Sequence, residues 1–224
     1  MPKPTIVLVH GAWADGSSWN AVATELRSQG FPVFTPPNLL RGVAIDAPYI
    51  SSFVAQRMTG PVVLVGHSYG GFVITNAAAG GGDVRALVYV DAFVPGDGDS
   101  AYRLLGVPPS GPPRPGDAWL VDGPARVYDD PAEEAFAVAR RTPQPNACFA
   151  EPVRLSRPLE DWPFPRTYVR LTVPEPGVPP NPAFDAAAAR ARNSSAWRYA
   201  ELATTHMAPP NRPVELTELL LASG

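Results

Sequence analysis

The sequence predicts an α/β fold: a mostly parallel six-stranded sheet with helices on both faces and an irregular, proline-rich lid. Short apolar runs alternate with segments of helical periodicity along most of the chain, which is typical of parallel strands joined by helices. Three of the runs are unbroken rather than alternating, as expected for strands buried on both faces. With 224 residues, 45% hydrophobic and 17% charged, the chain has the size and composition of one domain with a sizeable core.

Six strands and the helices between them follow from the order of these runs. The strands are predicted at residues 6–9, 33–34, 62–65, 86–90, 168–171 and 197–202. The first helix is predicted to have Ser17 or Ser18 as its cap and to end at Gly30. Its apolar residues at helical spacing are Trp19, Val22, Ala23 and Leu26. Later helices are predicted to contain Ile50 and Phe53, to begin at Tyr69, and to open at Pro182 and Pro213.

The strand–helix rhythm breaks between residues 94 and 165. This segment has no clear strand and holds about half of the 29 prolines. One helix is predicted inside it, with Asp130 as its cap, Pro131 in its first turn and Phe136 on its apolar side. Because a long irregular insertion in a compact domain is usually functional, we interpret residues 1–224 as a single domain with a lid at about 94–165. Its aromatic side chains either line a pocket or attach the lid to the core.

The composition excludes several classes of partner. Eighteen basic and 21 acidic residues give a net charge of -3 without a like-charged block, so binding to nucleic acid or anionic lipid is not expected. No stretch approaches the roughly 18 apolar residues of a membrane span, and no secretion signal is apparent. The single cysteine, Cys148, cannot form an internal disulfide. We therefore expect a cytoplasmic monomer or homodimer that acts on a small molecule.

The segment Gly66-His67-Ser68-Tyr69-Gly70 is a Gly-x-Ser-x-Gly motif between a buried strand and a helix. A serine on such a sharp turn adopts a strained backbone, and glycines are needed where a Cβ would crowd the neighbouring strand or helix. The helix that follows directs free N–H groups and its positive end at the same place, which favours negative charge on a bound carbonyl oxygen. The motif predicts Ser68 as a nucleophile.

A nucleophilic serine needs a base, and the chain has only three histidines. His67 is predicted to point away from the neighbouring hydroxyl, and His10 lies after the first strand. His206, after the last strand, is the base by elimination. The histidines sit at no metal-ligand spacing, so neither a metal nor another cofactor is expected.

Four segments together resemble the α/β-hydrolase superfamily. They are Val7-Leu8-Val9-His10-Gly11-Ala12-Trp13, Gly66-His67-Ser68-Tyr69-Gly70-Gly71, Leu87-Val88-Tyr89-Val90-Asp91-Ala92-Phe93-Val94-Pro95 and Thr205-His206-Met207. The chain is most similar to the compact esterase and hydroxynitrile-lyase-like branch. The resemblance implies a serine esterase whose oxyanion hole is formed by the backbone N–H groups of Ala12 and Tyr69. The residues expected to line a substrate pocket are Trp13, Trp119, Tyr128, Phe136, Trp162 and Met207.

The triad acid departs from the family pattern. Members place an aspartate just after the strand that here ends at Leu171, but this chain has no aspartate there. Glu175 lies within one residue of the expected place and keeps the carboxylate that orients the imidazole. Asp91, at the end of the preceding strand, is the alternative acid. A degraded triad is a third possibility.

These residues predict hydrolysis of a small carboxylic ester through an acyl-enzyme. A thioesterase or lactone hydrolase would use the same groups. Cyanohydrin cleavage would require a hydroxyl residue at the Gly11 position and a lysine in place of Met207. A ligand-binding protein with slow turnover is the non-enzyme alternative, because of the missing aspartate.

Overall fold

The structure, a computed structural model, describes residues 3–107 and 119–223. The described strands are β1 (Thr5–Val9), β2 (Val33–Phe34), β3 (Val62–His67), β4 (Val84–Val90), β5 (Leu120–Val121), β6 (Gln144–Pro145), β7 (Arg166–Leu171) and β8 (Trp197–Leu202). Six of these form one sheet in the order β2-β1-β3-β4-β7-β8, with every neighbouring pair parallel. The predicted fold class and all six predicted strands are confirmed.

Helices connect these strands. They are α1 (Asn20–Ser28), α2 (Val43–Arg57), α3 (Gly70–Ala78), α4 (Ala101–Leu104), α5 (Pro131–Val138), α6 (Ala147–Ala150), α7 (Pro182–Arg192), α8 (Ala208–Asn211) and α9 (Pro213–Leu221). A 3₁₀ turn at Gly16–Trp19 precedes α1, and its cap is Asp15, whose carboxylate accepts a hydrogen bond from the N–H of Ser17 at 2.8 Å. The prediction of a serine cap was therefore wrong by two or three residues, because the aspartate side chain satisfies the serine's own N–H.

Two apolar layers cover the sheet. Along β1, Val7 and Val9 pack with α2, α3 and α7 in one layer, whereas Ile6 and Leu8 pack with α1 and α9 in the other. Strands β3 and β4 alternate in the same way. Since successive side chains of a strand point to opposite faces, a strand covered on both faces reads as an unbroken apolar run. This is why the runs identified the central strands.

The segment between β4 and β7 is irregular but contains short regular elements. Strands β5 and β6 pair antiparallel over two residues each, so the expectation that this segment has no strand was incomplete. The predicted helix is confirmed as α5, where the Asp130 carboxylate accepts from the N–H of Ala132 at 2.8 Å. However, α5 has no buried residue, and Phe136 is 44% exposed. The prolines between residues 108 and 118 lie outside the described residues.

Among the residues that the structure describes, none of the helices combines the length and the apolar character needed to cross a bilayer.

Candidate active site

Ser68 occupies the sharp turn between β3 and α3. Its φ is +53°, a left-handed conformation that is uncommon for a residue with a Cβ. A Cβ at Gly66 would lie 2.6 Å from the carbonyl oxygen of Gly70, and one at Gly70 would lie 2.5 Å from the carbonyl oxygen of Val9. Both glycines are therefore required for the close approach of the strand to the helix, as the motif predicted.

The groups around Ser68 leave its hydroxyl and two N–H groups available. Among the described residues, the Ser68 hydroxyl makes no hydrogen bond, and the backbone N–H groups of Ala12 and Tyr69 donate to no other group. The backbone of Ser68 is held firmly, because its carbonyl accepts from the N–H groups of Gly71 and Phe93 at 3.1 and 3.2 Å. The turn thus presents a free hydroxyl on a fixed backbone.

His206 lies in the loop between β8 and α8 and contacts Asp91 at the end of β4. Its Nδ1 is 2.8 Å from Oδ2 of Asp91. Burial alone would raise the pKa of Asp91, but the hydrogen bond and charge of His206 and the Arg170 guanidinium hold it below the usual value. An ionised carboxylate can only accept, so Nδ1 carries a proton, and in the neutral ring the lone pair is therefore on Nε2. This is the tautomer that a general base needs.

Glu175 does not contact His206, and the expectation that it orients the imidazole was wrong. Its Oε2 forms an ion pair with the Arg126 guanidinium, and its Oε1 accepts from the N–H of Val127 at 3.1 Å. The Glu175 side chain is 4% exposed and the Arg126 side chain 14%. The carboxylate is therefore directed to the segment between β4 and β7. Asp91, the alternative acid, occupies the position beside the histidine.

Among the described residues His67 makes no hydrogen bond to the Ser68 hydroxyl, and its ring contacts the His206 loop instead. Its Nε2 donates to the His206 carbonyl oxygen at 2.8 Å, and the two rings lie 4.4 Å apart. Burial, together with the nearby charge of His206, lowers the pKa of His67 well below its ordinary value, so the ring is neutral. The sequence carried no signal for this contact, because the two residues are far apart in the chain.

His10 fixes the loop that carries Ala12. Its Nε2 accepts from the N–H of Asn38 at 2.9 Å, and its Nδ1 lies 2.9 Å from the Gly11 carbonyl oxygen. The first contact makes Nε2 an acceptor, so Nδ1 carries the proton and donates. Burial lowers the pKa of His10. Neutral His10 therefore has a structural role, because its ring connects the backbone of Asn38 to that of Gly11.

Two cavities meet at Ser68 and His206. Both cavities are lined by Trp13, Ser68, Arg126 and His206. The first cavity also extends to the 3₁₀ turn, to α5, to α8 and to residues next to these helices. Its lining there includes Ser17, Tyr128, Phe136, Arg140, Met207 and Pro209. The second extends towards the loop after β7 and the start of α7, through Phe93, Phe149, Val173, Glu175, Val178 and Phe184 among others.

The predicted pocket residues divide into two groups. Those that line the described cavities are Trp13, Tyr128, Phe136 and Met207. Trp119 is 57% exposed, and Trp162 packs on Phe164 at 5.8 Å and under the Arg157 guanidinium at 4.1 Å. Neither tryptophan lines the two cavities. Trp162 packs against the apolar layer that contains α2, α3 and α7, so for Trp162 the alternative holds: it attaches the segment to the body of the protein.

The family model described as "Alpha/beta hydrolase family" matches residues 6–219. A relative from Nocardioides sp., named carbendazim hydrolyzing esterase, is 30% identical over 97% of this chain and 98% of its own length. The chain belongs to the α/β-hydrolase family. A probable hydrolase from Phoma sp. is 36% identical over 47% of this chain and 49% of its own. With relatives of these names, this α/β-hydrolase is a carboxylesterase-type enzyme.

Solved structures share the fold of this α/β-hydrolase. An extracellular α/β-hydrolase from a Paenibacillus species, described as homologous to tobacco salicylic acid binding protein 2, superposes with a TM-score of 0.77 at 22% identity, covering 99% of each chain. A pyrethroid hydrolase from Sphingobium faniae gives 0.71 at 17% identity, covering 99% of this chain and 97% of its own. Since one neighbour is extracellular, the cytoplasmic location of this chain stays a prediction.

Proposed function

We propose that this α/β-hydrolase cleaves small carboxylic esters through an acyl-enzyme formed on Ser68. The observation that carries the proposal is the 2.8 Å contact between His206 Nδ1 and Asp91 Oδ2, beside a serine at φ +53° in the same cleft. Together they supply a nucleophile, a base in the correct tautomer and an ionised acid. Asp91 thus takes the role expected of Glu175.

In the first half-reaction, Ser68 Oγ attacks the ester carbonyl carbon and its proton passes to Nε2 of His206. The electron pair of the carbonyl moves onto its oxygen, where the N–H groups of Ala12 and Tyr69 donate to it. The bond to the alcohol oxygen then breaks, and His206 returns the proton to the departing alcohol. In the second half-reaction, water attacks the acyl carbon while His206 takes its proton. The bond to Ser68 Oγ then breaks, Ser68 regains the proton from His206, and the acid is released. Asp91 stays ionised throughout and stabilises the imidazolium.

The two cavities support a division of the substrate at Ser68. An ester bound with its carbonyl carbon at Oγ places its acyl part on one side and its alcohol part on the other. The second cavity is lined mainly by aromatic and aliphatic side chains, whereas the first combines apolar side chains with charged ones such as Asp15, Arg140 and Arg141. This favours an ester with an apolar group on the side of the second cavity. Carbendazim is a reasonable first substrate to test, because the relative from Nocardioides is named for it.

Cyanohydrin cleavage is disfavoured by the space at Gly11. The resemblance requires a hydroxyl side chain at this position for that activity. A Cβ on Gly11 would lie 2.8 Å from the Cβ of Ser68 and 3.2 Å from the His67 carbonyl oxygen. The backbone here has no room for such a side chain without displacing the nucleophile.

Covalent labelling and kinetics test the proposal. A fluorophosphonate should label the protein quickly, and Ser68→Ala should abolish labelling and lower kcat on p-nitrophenyl acetate or butyrate by roughly 10⁴-fold or more. Ser28→Ala is the matched control, because the Ser28 hydroxyl lies at an exposed position of α1 and donates to the Glu25 carbonyl oxygen. Most activity surviving in purified Ser68→Ala would refute the proposal.

A further inference from the structure

The second partner of Asp91 is an arginine. The Arg170 guanidinium forms an ion pair with Oδ1 of Asp91, while His206 occupies Oδ2. The N–H of Leu171 also approaches Oδ1, at 3.4 Å. One carboxylate is therefore shared between the proposed base and a permanent cation. The Asp91 side chain is 5% exposed and that of Arg170 22%, so solvent screens the pair only in part.

The sheet explains why these residues meet. Val90 of β4 is paired with Val169 of β7, and the N–H of Asp91 extends this ladder by donating to the Val169 carbonyl oxygen at 2.8 Å. Arg170 follows directly in β7. Asp91 itself has a φ of +41°, a strained conformation that persists only where its surroundings hold it. The ion pair with Arg170 supplies part of that hold.

Arg170 also has a partner on its other side. Its Nη2 donates to Oδ1 of Asp185, in the first turn of α7, at 2.6 Å. The Asp185 side chain is 54% exposed. A network of alternating charges thus runs from exposed Asp185 through Arg170 and Asp91 to the base. The ionisable groups around His206 and this network include Asp91, His67, Arg126, Glu175, Arg170 and Asp185, and Arg192 and Glu201 line a small cavity together with Arg170 and Asp185.

We propose that Arg170 is a positioning residue for the base: it fixes the Asp91 carboxylate and, as a neighbouring cation, weakens the stabilisation that Asp91 gives to the His206 imidazolium. The inference rests on the proposed function. A carboxylate that faced His206 alone would stabilise the imidazolium more strongly, so the base would stay protonated over more of the pH range. The cation opposes this while leaving the hydrogen bond to Nδ1 in place. Arg170 borders the second cavity, but its guanidinium is paired with Asp91 and Asp185, so it acts on the base through Asp91.

The decisive readout is the acid limb of the kcat/KM profile, which reports protonation of the base in the free enzyme. Arg170→Met should move this limb to higher pH by about 0.5 to 1 unit, less than for a charge in direct contact with the imidazole. It should also lower kcat by roughly tenfold as Asp91 loses its hold. Arg170→Lys should restore the position of the limb, because it keeps the charge, while kcat recovers only in part.

Two surface variants make the test independent of folding defects. Asp185→Asn frees Arg170 for Asp91 and removes a nearby negative charge, so the acid limb should move to lower pH by about 0.3 unit. Arg192→Met is the matched control, because it removes an arginine from α7, the helix that carries Asp185. The Arg192 side chain pairs with Glu201 at 2.6 Å rather than with Asp91. It should leave the limb within about 0.2 unit of the wild type.

Titration of the histidine rings by NMR tests the same inference without measuring turnover. The His206 signal should titrate higher in Arg170→Met and lower in Asp185→Asn, in the order of the kinetic limbs. An unmoved limb and an unmoved His206 titration in folded Arg170→Met would overturn the inference, even if kcat falls. This outcome is distinct from failure of the proposed function, which shows as activity retained in Ser68→Ala.

Discussion

The loops after β4 and β7 each carry one buried carboxylate towards the same cleft, and the two have different partners. Asp91, after β4, contacts His206 and Arg170. Glu175, after β7, contacts Arg126 and the N–H of Val127, both in the segment between the two strands. The acidic group is the same; the cation that meets it differs. A carboxylate near an active site therefore takes its role from its partners rather than from its place in the chain.

The largest expected effect comes from removing the charge on the β4 side. Asp91→Asn keeps the shape of the side chain but no longer stabilises the imidazolium, and an amide that donates to Nδ1 selects the wrong tautomer. We expect kcat on p-nitrophenyl butyrate to fall by roughly 10⁴-fold, as measured for a triad aspartate elsewhere. Steady-state kinetics of the purified variant give the number.

The matched control for Asp91→Asn is Glu175→Gln, the same change in the other loop. Its kcat should stay within about tenfold of the wild type, because Glu175 has no contact with the base. If Glu175→Gln lost as much activity as Asp91→Asn, the difference between the two loops would disappear and Glu175 would return as a candidate acid.

Removing the charge on the β7 side should instead affect stability. Glu175→Gln leaves the partly buried Arg126 guanidinium without its counter-ion, which should cost up to about 3 kcal/mol of the free energy of unfolding. Urea denaturation measures this loss. The exposed pair between Arg192 and Glu201 offers a contrast, since Glu201→Gln should cost much less of the free energy of unfolding than Glu175→Gln.

A second change separates loss of the ion pair from loss of packing at Glu175. Arg126→Met in the Glu175→Gln background removes the isolated charge, so the double variant should be more stable than Glu175→Gln alone. A double variant that is less stable, by the sum of the two single losses, would mean that the pair is not coupled.

The contrast between the two loops also shows what the sequence could predict. The sheet and the turn at Ser68 were predictable because they depend on local patterns: apolar runs, and glycines placed where a Cβ would collide. The partner of each carboxylate was not, because Arg126 and Arg170 are brought to them by tertiary packing. Chain order favoured Glu175, and chain order does not say which cation lies nearby.

The pocket residues were predictable to a similar extent. Trp13 lies in the short loop after the first strand, at the end of the sheet that borders the cleft. Trp162 belongs to the irregular segment, whose path is set by many separate contacts rather than by a periodic pattern. Aromatic composition alone therefore did not distinguish a cavity wall from an attachment to the body of the protein.

The smallest predicted effect concerns His67, which holds the His206 loop and has no counterpart on the β7 side. Burial lowers the pKa of His67 in the folded state, so below its unfolded value of 6.5 the unfolded chain binds a proton that the folded chain does not. Stability therefore increases with pH up to about 6.5 and is lost as the pH falls below that value. Between pH 7.5 and 5.5 this single group removes about 1 kcal/mol from the free energy of unfolding.

His67→Gln tests this, because glutamine still offers an N–H to the His206 carbonyl oxygen but does not titrate in this range. Urea denaturation at pH 7.5 and 5.5 should show a smaller loss of stability in the variant than in the wild type, by about 1 kcal/mol. Buried His10 keeps its own contribution in both proteins and cancels in the difference. An equal loss in the two proteins would mean that His67 accepts a proton in the folded state. It would then oppose the imidazolium of His206, 4.4 Å away, rather than support its loop.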